Sequence, residues 1–361
     1  MIVSNPQGLG KGQGPGRGAR KATIRDVARV AGVSTATVSA TLTGSAPVSE
    51  ALAERVRAAV ATVGYRPDAI ARSLRRGETR MLGLLLADIT NPFTTAVVHA
   101  VEAAAHARGY TLMLCNSDED PAKERTYLDL LRAQRADGVM LMPVGFGRDY
   151  GQQVRRMLDA PAVLVDRTIP GMQLDAVTVD GAIGTRQAVA QMVRLGHRRI
   201  GILAGPAGVS AGDERLAGYR AALDEAGIAF DPALVRDGAF RQDPAHAATL
   251  DLLRGPEPPT AMFAANNLMA IGMMRAVAEM GLDCPRDLSV ACFDDFDWAE
   301  AFQPRLTTVA QPTEAIGAAA VSLLLDRLGE APPPGLRHII LPPRLIVRDS
   351  CAPPRRTKRR A

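Results

Sequence analysis

Four hydroxyls fall within six residues, at Ser34, Thr35, Thr37 and Ser39, in the run STATVSATL. On a helix starting at Ser34, such hydroxyls can reach phosphate oxygens and base edges in a DNA major groove. Other chemistry-bearing patterns hold up less well. GVSAG at 208–212 fits the Gly-x-Ser-x-Gly elbow of acyl hydrolases. That elbow needs its serine on a sharp turn directly between strand and helix, whereas here the apolar run ends near Ala204 and Pro206 intervenes. His246 and His338 carry no motif that could complete a triad. The Gly-rich stretch GLGKGQGPGRG fits neither GxGxxG nor GxxxxGK in register. Asp294 and Asp295 are neighbours at a strand end, which does not by itself make an acid/base pair. Cys115, Cys284, Cys292 and Cys351 lie far apart, with no CxxC and no histidine at zinc spacing. Reduced thiols are expected, with no metal site and no disulfide framework. No catalytic constellation emerges, so neither enzyme activity nor a cofactor is expected.

The elements that would position these residues fall into three regions. Residues 21–66 read as short helices without strand signal. Ile24, Val27, Ala28 and Ala31 share one helical face; Val38 and Leu42 are four apart; Leu52, Val56, Ala59, Val60 and Val63 form a third stripe. Thr23, Ser34 and Ser49 are expected N-caps and Gly64 a C-cap. The first two helices, joined by a turn at Gly32, have the layout of a helix-turn-helix, with Val38 and Leu42 inward and Thr35, Ala36, Thr37, Ser39 and Ala40 outward. Residues 67–80, PDAIARSLRRGETR, are short, polar and basic, too short to hold a helix alone. From residue 81 strands and helices alternate, in two series of similar length. The strand runs MLGLLLADI, TLMLCNS, ADGVMLMPV and PAVLVDR belong to the first series, and RIGILAGP, TAMFAAN and DLSVACFDD to the second. This rhythm implies two doubly wound lobes with parallel sheets. A long helix, 312–329, and a strand region, 337–348, follow.

Charge is segregated along the 361 residues. Residues 1–80 carry 13 Lys or Arg against 5 Asp or Glu, and the last ten residues carry 5 basic side chains and no acid. Residues 81–351 carry 25 basic and 33 acidic side chains. A basic front on an acidic body suits a polyanionic partner. The first twenty residues lack the apolar core of a secretory signal, and no apolar run approaches the ~20 residues of a membrane span. A cytoplasmic location and no membrane partner are expected.

The segments ATIRDVARVAGVSTATVSATLTG, VSEALAERVRAAVATVGYRPDAIARSL and GLLLADITNPF resemble the lactose-repressor/purine-repressor (LacI/GalR) family of bacterial transcription regulators. The resemblance continues through VTVDG, LGHRRIGILAGP, ERLAGYRAAL, MFAANNLMAIGMMRAVAEMGLDCPRDLSVACFDDFD and PRLTTVAQP, covering residues 22–349. It implies a homodimer on a near-palindromic operator in double-stranded DNA. Thr35, Ala36 and Ala40 match the family's base-reading positions, and Ser34, Thr37, Ser39 and Tyr65 its backbone contacts. Residues 68–75, with Ala71 and Leu74, match a hinge helix whose leucine wedges into the minor groove. Three positions depart from the pattern. Ala40 replaces a long polar residue and can at most touch a thymine methyl. Asp68 replaces an Asn. Asn267 replaces an Asp, which leaves any inherited role for it in doubt. The effector positions match Asp88, Asn91, Phe93, Asp166, Arg167, Arg215, Asn266, Asp294 and Trp298, in a cleft at the carboxyl ends of the strands. Arginine forks, carboxylates and aromatic faces there suit a sugar, a sugar acid or a nucleobase-like ligand equally.

The expected fold is α/β: a small all-α helix-turn-helix domain with a hinge helix, then two doubly wound parallel-sheet lobes of the periplasmic-binding-protein type. The expected division is a flexible basic tail at 1–20, the DNA-binding domain at 21–66 and the hinge at 67–80. The N-terminal lobe is then 81–180 plus 309–334, the C-terminal lobe 181–308 plus 335–350, and a basic tail 351–361. The tail has no apolar heptad, so a dimer is expected over a tetramer. The expected function is that of an effector-controlled repressor; the alternative is a solute-binding receptor with an accessory helical domain.

Overall fold

The computed structural model describes residues 22–44, 46–65, 78–301 and 303–355. The expected tail at 1–20 and most of the hinge, with Asp68, Ala71 and Leu74, lie outside these residues. The chain divides into two compact units between Glu78 and Thr79.

The first unit holds helices α1 (Ile24–Ala31), α2 (Thr35–Thr43) and α3 (Glu50–Val63). The start of α1 is fixed by Asp26, whose carboxylate accepts from the Thr23 N–H at 3.0 Å and the Thr23 hydroxyl at 2.7 Å. At the start of α2 the Ser34 hydroxyl accepts from the Thr37 N–H at 3.0 Å. Gly32 makes the turn with φ of 61°, a left-handed conformation in which a side chain is strained. Arg55 of α3 donates to the Ala31 carbonyl at 2.6 Å and ties the third helix to that turn. Val27, Val38 and Val56, one from each helix, are fully buried and form the core. Burial of each such side chain stabilises the domain by roughly 1.5–3 kcal/mol.

The second unit carries two six-stranded sheets. The first is built from β1 (Met81–Leu86), β2 (Thr111–Asn116), β3 (Gly138–Leu141), β4 (Ala162–Val165) and β5 (Asp175–Val179). Helices α4 (Pro92–His106), α5 (Pro121–Ala133) and α6 (Arg148–Met157) alternate with these strands. The second sheet contains β6 (Ile200–Ala204), β7 (Val235–Asp237), β8 (Ala261–Ala264), β9 (Ser289–Phe293) and β10 (Thr307–Ala310). Its helices are α7 (Gly181–Arg194), α8 (Ser210–Glu225), α9 (Gln242–Arg254) and α10 (Asn267–Glu279). Helix α11 (Thr313–Leu328) and strands β11 (His338–Leu341) and β12 (Arg344–Ile346) complete the unit. The sheet orders are β11-β5-β4-β3-β1-β2 and β12-β10-β9-β8-β6-β7. All pairings are parallel except β10 with β12. Strands β3, β4, β5, β6, β8 and β9 are buried throughout, which is why they read as unbroken apolar runs.

The chain crosses between the lobes near Asp180, at Gln311–Pro312 and at Pro342–Pro343, and two of these crossings correct the expected division. The strand region 337–348 is two strands, not one. β11 pairs with β5 of the first lobe and β12 with β10 of the second. Pro342 and Pro343 separate them, because neither can donate to a ladder. Residues 338–341 therefore belong to the first lobe. The expected boundary at 308 also falls inside β10, which pairs with β9 through Val309. The stretch 232–254 holds a short 3-10 turn, β7 and α9, none of which the apolar pattern suggested. β7 is a three-residue edge strand, VRD, with no buried residue.

Candidate functional site

On α2, Val38 is buried and Leu42 packs on the core. Ser34, Thr35 and Ala36 are exposed at its N-terminus. Thr37, Ser39, Ala40 and Tyr65 are half-buried, so the outward face is narrower than expected. The Thr37 hydroxyl lies 2.9 Å from that of Ser34. The exposed surface of this helix end is small and uncharged.

In the second unit a narrow cleft lies at the carboxyl ends of the strands, its walls close enough to leave a cavity of only about 20 Å³. Asp88, Asn91, Phe93, Asp166, Arg167, Arg215, Asn266 and Asp294 all line it. All but Arg215, in the second turn of α8, arrive by a strand end or a helix start. Asn91 caps α4, its amide oxygen accepting from the Phe93 N–H at 2.9 Å, with Pro92 preset for the first turn. Asn266 caps α10 in the same way through the Met269 N–H, and its amide nitrogen donates to the Phe240 carbonyl at 3.2 Å. Asp88 follows β1 and accepts from the Thr90 N–H and hydroxyl.

The two arginines are held differently. Arg167 makes a two-pronged bond to Glu119 at 2.6 and 2.8 Å and also donates to the Pro143 carbonyl. Burial alone would lower its proton affinity; Glu119 and Asp166 more than offset this and keep it charged. Arg215 donates to the Ala265 carbonyl at 2.6 Å and lies over the Phe293 ring at 4.0 Å. Its guanidinium comes within 4.0 Å of Asp166, a contact that spans the two lobes. The Nε atoms of both arginines are buried without a hydrogen-bond partner, that of Arg167 lying 3.7 Å from the Asp166 carboxylate. Asp294, 2% exposed, accepts from the Gln311 amide at 2.6 Å. Burial pushes its carboxyl up to about 6, against the pull of Arg215 and Gln311.

Left-handed backbone marks the cleft at equivalent places in the two lobes. Asp166 after β4 has φ of 65° and Asp294 after β9 has φ of 70°. Asp118 and Glu119 after β2 have 59° and 56°; Ala239 and Phe240 after β7 have 52° and 55°. Such conformations persist only where the surroundings enforce them, and they collect at ligand sites. Glu119 and Phe240 are lining residues that sequence reasoning missed. The repeat of the two lobes could have found them, since each follows the second strand of its lobe by the same interval.

Trp298 is a correction. It is 46% exposed, packs edge-to-face on Phe296 with ring centroids 4.5 Å apart, and does not line the cleft. It sits in a short 3-10 turn, Asp297–Glu300, which carries it off the end of β9. Asn267 is fully buried in the first turn of α10, outside the lining, with both amide atoms unpartnered. Ser210 of GVSAG accepts from the Thr168 N–H at 2.9 Å, so it bridges the lobes. Among the described residues no cluster of three His, Cys, Asp or Glu could hold a metal ion.

A helix-turn-helix domain followed by a two-lobed cleft of this kind defines a ligand-responsive DNA-binding protein. Residues 23–68 match the model of bacterial regulatory proteins of the lacI family, and residues 189–351 that of a periplasmic binding protein-like domain. The HTH-type transcriptional repressor PurR of Vibrio atlanticus is 38% identical over 307 residues, 85% of this chain and 92% of its own length. The repressor CytR of Escherichia coli is 36% identical over 85% of this chain and 90% of its own. The lac repressor dimer bound to operator and the anti-inducer ONPF superposes with a TM-score of 0.82, at 29% identity, over 92% of this chain and all of that one. The chain belongs to the LacI family of bacterial regulatory proteins. It is a DNA-binding transcription regulator rather than an enzyme, and the solute-receptor reading is not favoured. Among the described residues no helix is long and apolar enough to cross a membrane.

Proposed function

We propose that this regulator is a cytoplasmic repressor that binds a near-palindromic operator as a dimer and is controlled by a small molecule seated between the lobes. The observation that carries the reading is the interlobe cleft, with its buried, hydrogen-bonding lining. Ser34, Thr35, Ala36, Thr37, Ser39, Ala40 and Tyr65 form the proposed operator surface, with Ala71 and Leu74 of the hinge. Thr35, Ala36 and Ala40 offer little hydrogen-bonding reach, so thymine methyls, backbone contacts and a Leu74 wedge would carry much of the specificity.

Asp88, Asn91, Phe93, Asp166, Arg167, Arg215, Asn266 and Asp294 form the proposed effector site, joined by Glu119 and Phe240. Four carboxylates (Asp88, Glu119, Asp166, Asp294) face three guanidiniums: Arg167, which Glu119 already holds, Arg215, and Arg241, 3.7 Å from Asp88. This balance favours a neutral ligand rich in hydroxyl or amine donors, a sugar or nucleobase-like molecule, over a sugar acid. The Phe93 and Phe240 rings supply apolar cover for such a ring. Effector binding shifts the population of lobe arrangements and thereby the packing of the paired hinges over the operator. The test is calorimetric titration of the full chain with neutral sugars, nucleosides and sugar acids. A neutral ligand should bind wild type and fail to bind Arg215→Ala; a sugar acid binding in preference to every neutral ligand would overturn the assignment.

A further inference from the structure

Helix α6 carries charge that its lobe does not balance. Arg148, Gln152, Arg155 and Arg156 recur at i, i+4, i+7 and i+8, one face of the helix, and all four are exposed. Among the described residues, none of the three guanidiniums has a carboxylate within ion-pair distance. Among the same described residues, Arg132, Arg167, Arg186 and Arg199 each hold one, whereas Arg125, Arg135 and Arg344 do not. What distinguishes α6 is that three such guanidiniums share one helix face and line one groove, on a body in which acids outnumber bases. Arg155 and Arg156 stand in the last turn, where the helix dipole favours cations. Arg155 also donates to the Leu158 carbonyl at 3.5 Å. Arg148 is the first residue of the helix, where the dipole disfavours it, so helix electrostatics account for Arg155 and Arg156 but not for Arg148.

This face forms one wall of an open groove of about 800 Å³, whose other wall is the loop 170–173. No acidic side chain lines it. Gln173 adds an amide and Met172 an apolar contact. Behind the groove lie the loop that carries Arg167 and the segment whose Pro143 carbonyl accepts from it. The loop runs from Asp166 and Arg167 through Ile169, which is 2% exposed and packed against Gly151 of α6. On the inner side of the helix the Tyr150 hydroxyl donates to Glu124 at 2.7 Å. The other Glu124 oxygen accepts from the Val144 N–H at 3.1 Å, next to the Pro143 carbonyl that receives Arg167.

We propose that this groove is a second small-molecule site, for a ligand bearing phosphate groups, distinct from the interlobe cleft. Planar guanidinium forks match phosphate oxygens in pairs, and three of them on one helix face would take up more than one such group. Occupation would stiffen residues 166–173 and so reach the effector cleft.

The experiment is hydrogen–deuterium exchange on the full chain with and without millimolar inorganic pyrophosphate, ionic strength matched with chloride. Exchange over 148–157 and 169–174 should slow several-fold. The protection should vanish in R148Q/R155Q/R156Q, weaken in Arg148→Gln alone, and persist in R125Q/R135Q, which removes two exposed arginines elsewhere on the lobe. Unchanged thermal unfolding of the triple variant guards against misfolding. Absence of protection in the wild type, or its persistence in the triple variant, overturns the proposal.

Discussion

Asp294 holds its carboxyl in a buried setting where Arg215, Gln311 and Arg167 favour its charge. Its pKa of about 6 lies above the ordinary 3.8. Between those values the folded state keeps a proton that the unfolded chain has released. Stability therefore falls as pH rises through that window, and the full cost, about 3 kcal/mol from the size of the shift, is present above it. Asp294→Asn should raise the stability of the ligand-free two-lobed unit at pH 7 and give almost no gain near pH 4, measured by urea unfolding. An equal effect at both pH values would show that the carboxyl is not strained by burial. The same substitution should weaken effector binding, since a residue kept at a stability cost is expected to act on the ligand. Arg215→Ala removes a charged donor between Asp166 and Asp294. It should cost effector affinity about 2–5 kcal/mol while leaving operator affinity within twofold of wild type.

At the level of elements, two glycines set positions on which the sites depend. Gly32→Ala places a side chain in left-handed backbone and 2.9 Å from Arg55. It should destabilise the helix-turn-helix by roughly 1 kcal/mol or more, read as a lower first melting transition. Gly205, just past β6, lies under the Phe240 ring, with which an added Cβ would collide. Gly205→Ala should push the ring into the cleft and lower effector affinity with operator binding retained; unchanged affinity would remove Phe240 from the site. Most of the fold was legible because its strands are apolar on both faces and its helices carry caps, as at Ser34, Asn91 and Asn266. β7 was not legible, since an edge strand of three half-polar residues has no apolar signature. The split of 337–348 needed the Pro342–Pro343 pair to be read as a break. The cleft was legible wherever a residue stood within two positions of the end of a buried strand, as with Asp88, Asp166 and Asp294. Glu119 and Phe240 sit further on, held by left-handed backbone that no apolar period announces. Trp298 failed for the opposite reason: proximity in sequence to Asp294 did not bring it to the ligand.

For the whole molecule, three crossings join the lobes, and contacts such as Arg215 to Asp166, Ser210 to Thr168 and Arg241 to Asp118 span them. A ligand that inserts among these groups changes the balance between lobe arrangements only by its differential affinity for them. Couplings of about 1–3 kcal/mol are typical, which corresponds to about 5- to 150-fold in affinity for the second ligand. Leu74→Ala in the hinge should weaken binding to the operator more than to random DNA; equal losses would remove the minor-groove wedge. The most direct test of the account is the affinity of the full chain for an operator selected from random-sequence DNA, measured at fixed salt. It is compared with and without a saturating neutral cleft ligand, in wild type and in Arg215→Ala. The account predicts a shift of about 5- to 150-fold in wild type and none in the variant, which still binds the operator. A variant that responds as wild type does, or a wild type whose operator affinity no cleft ligand moves, would contradict it.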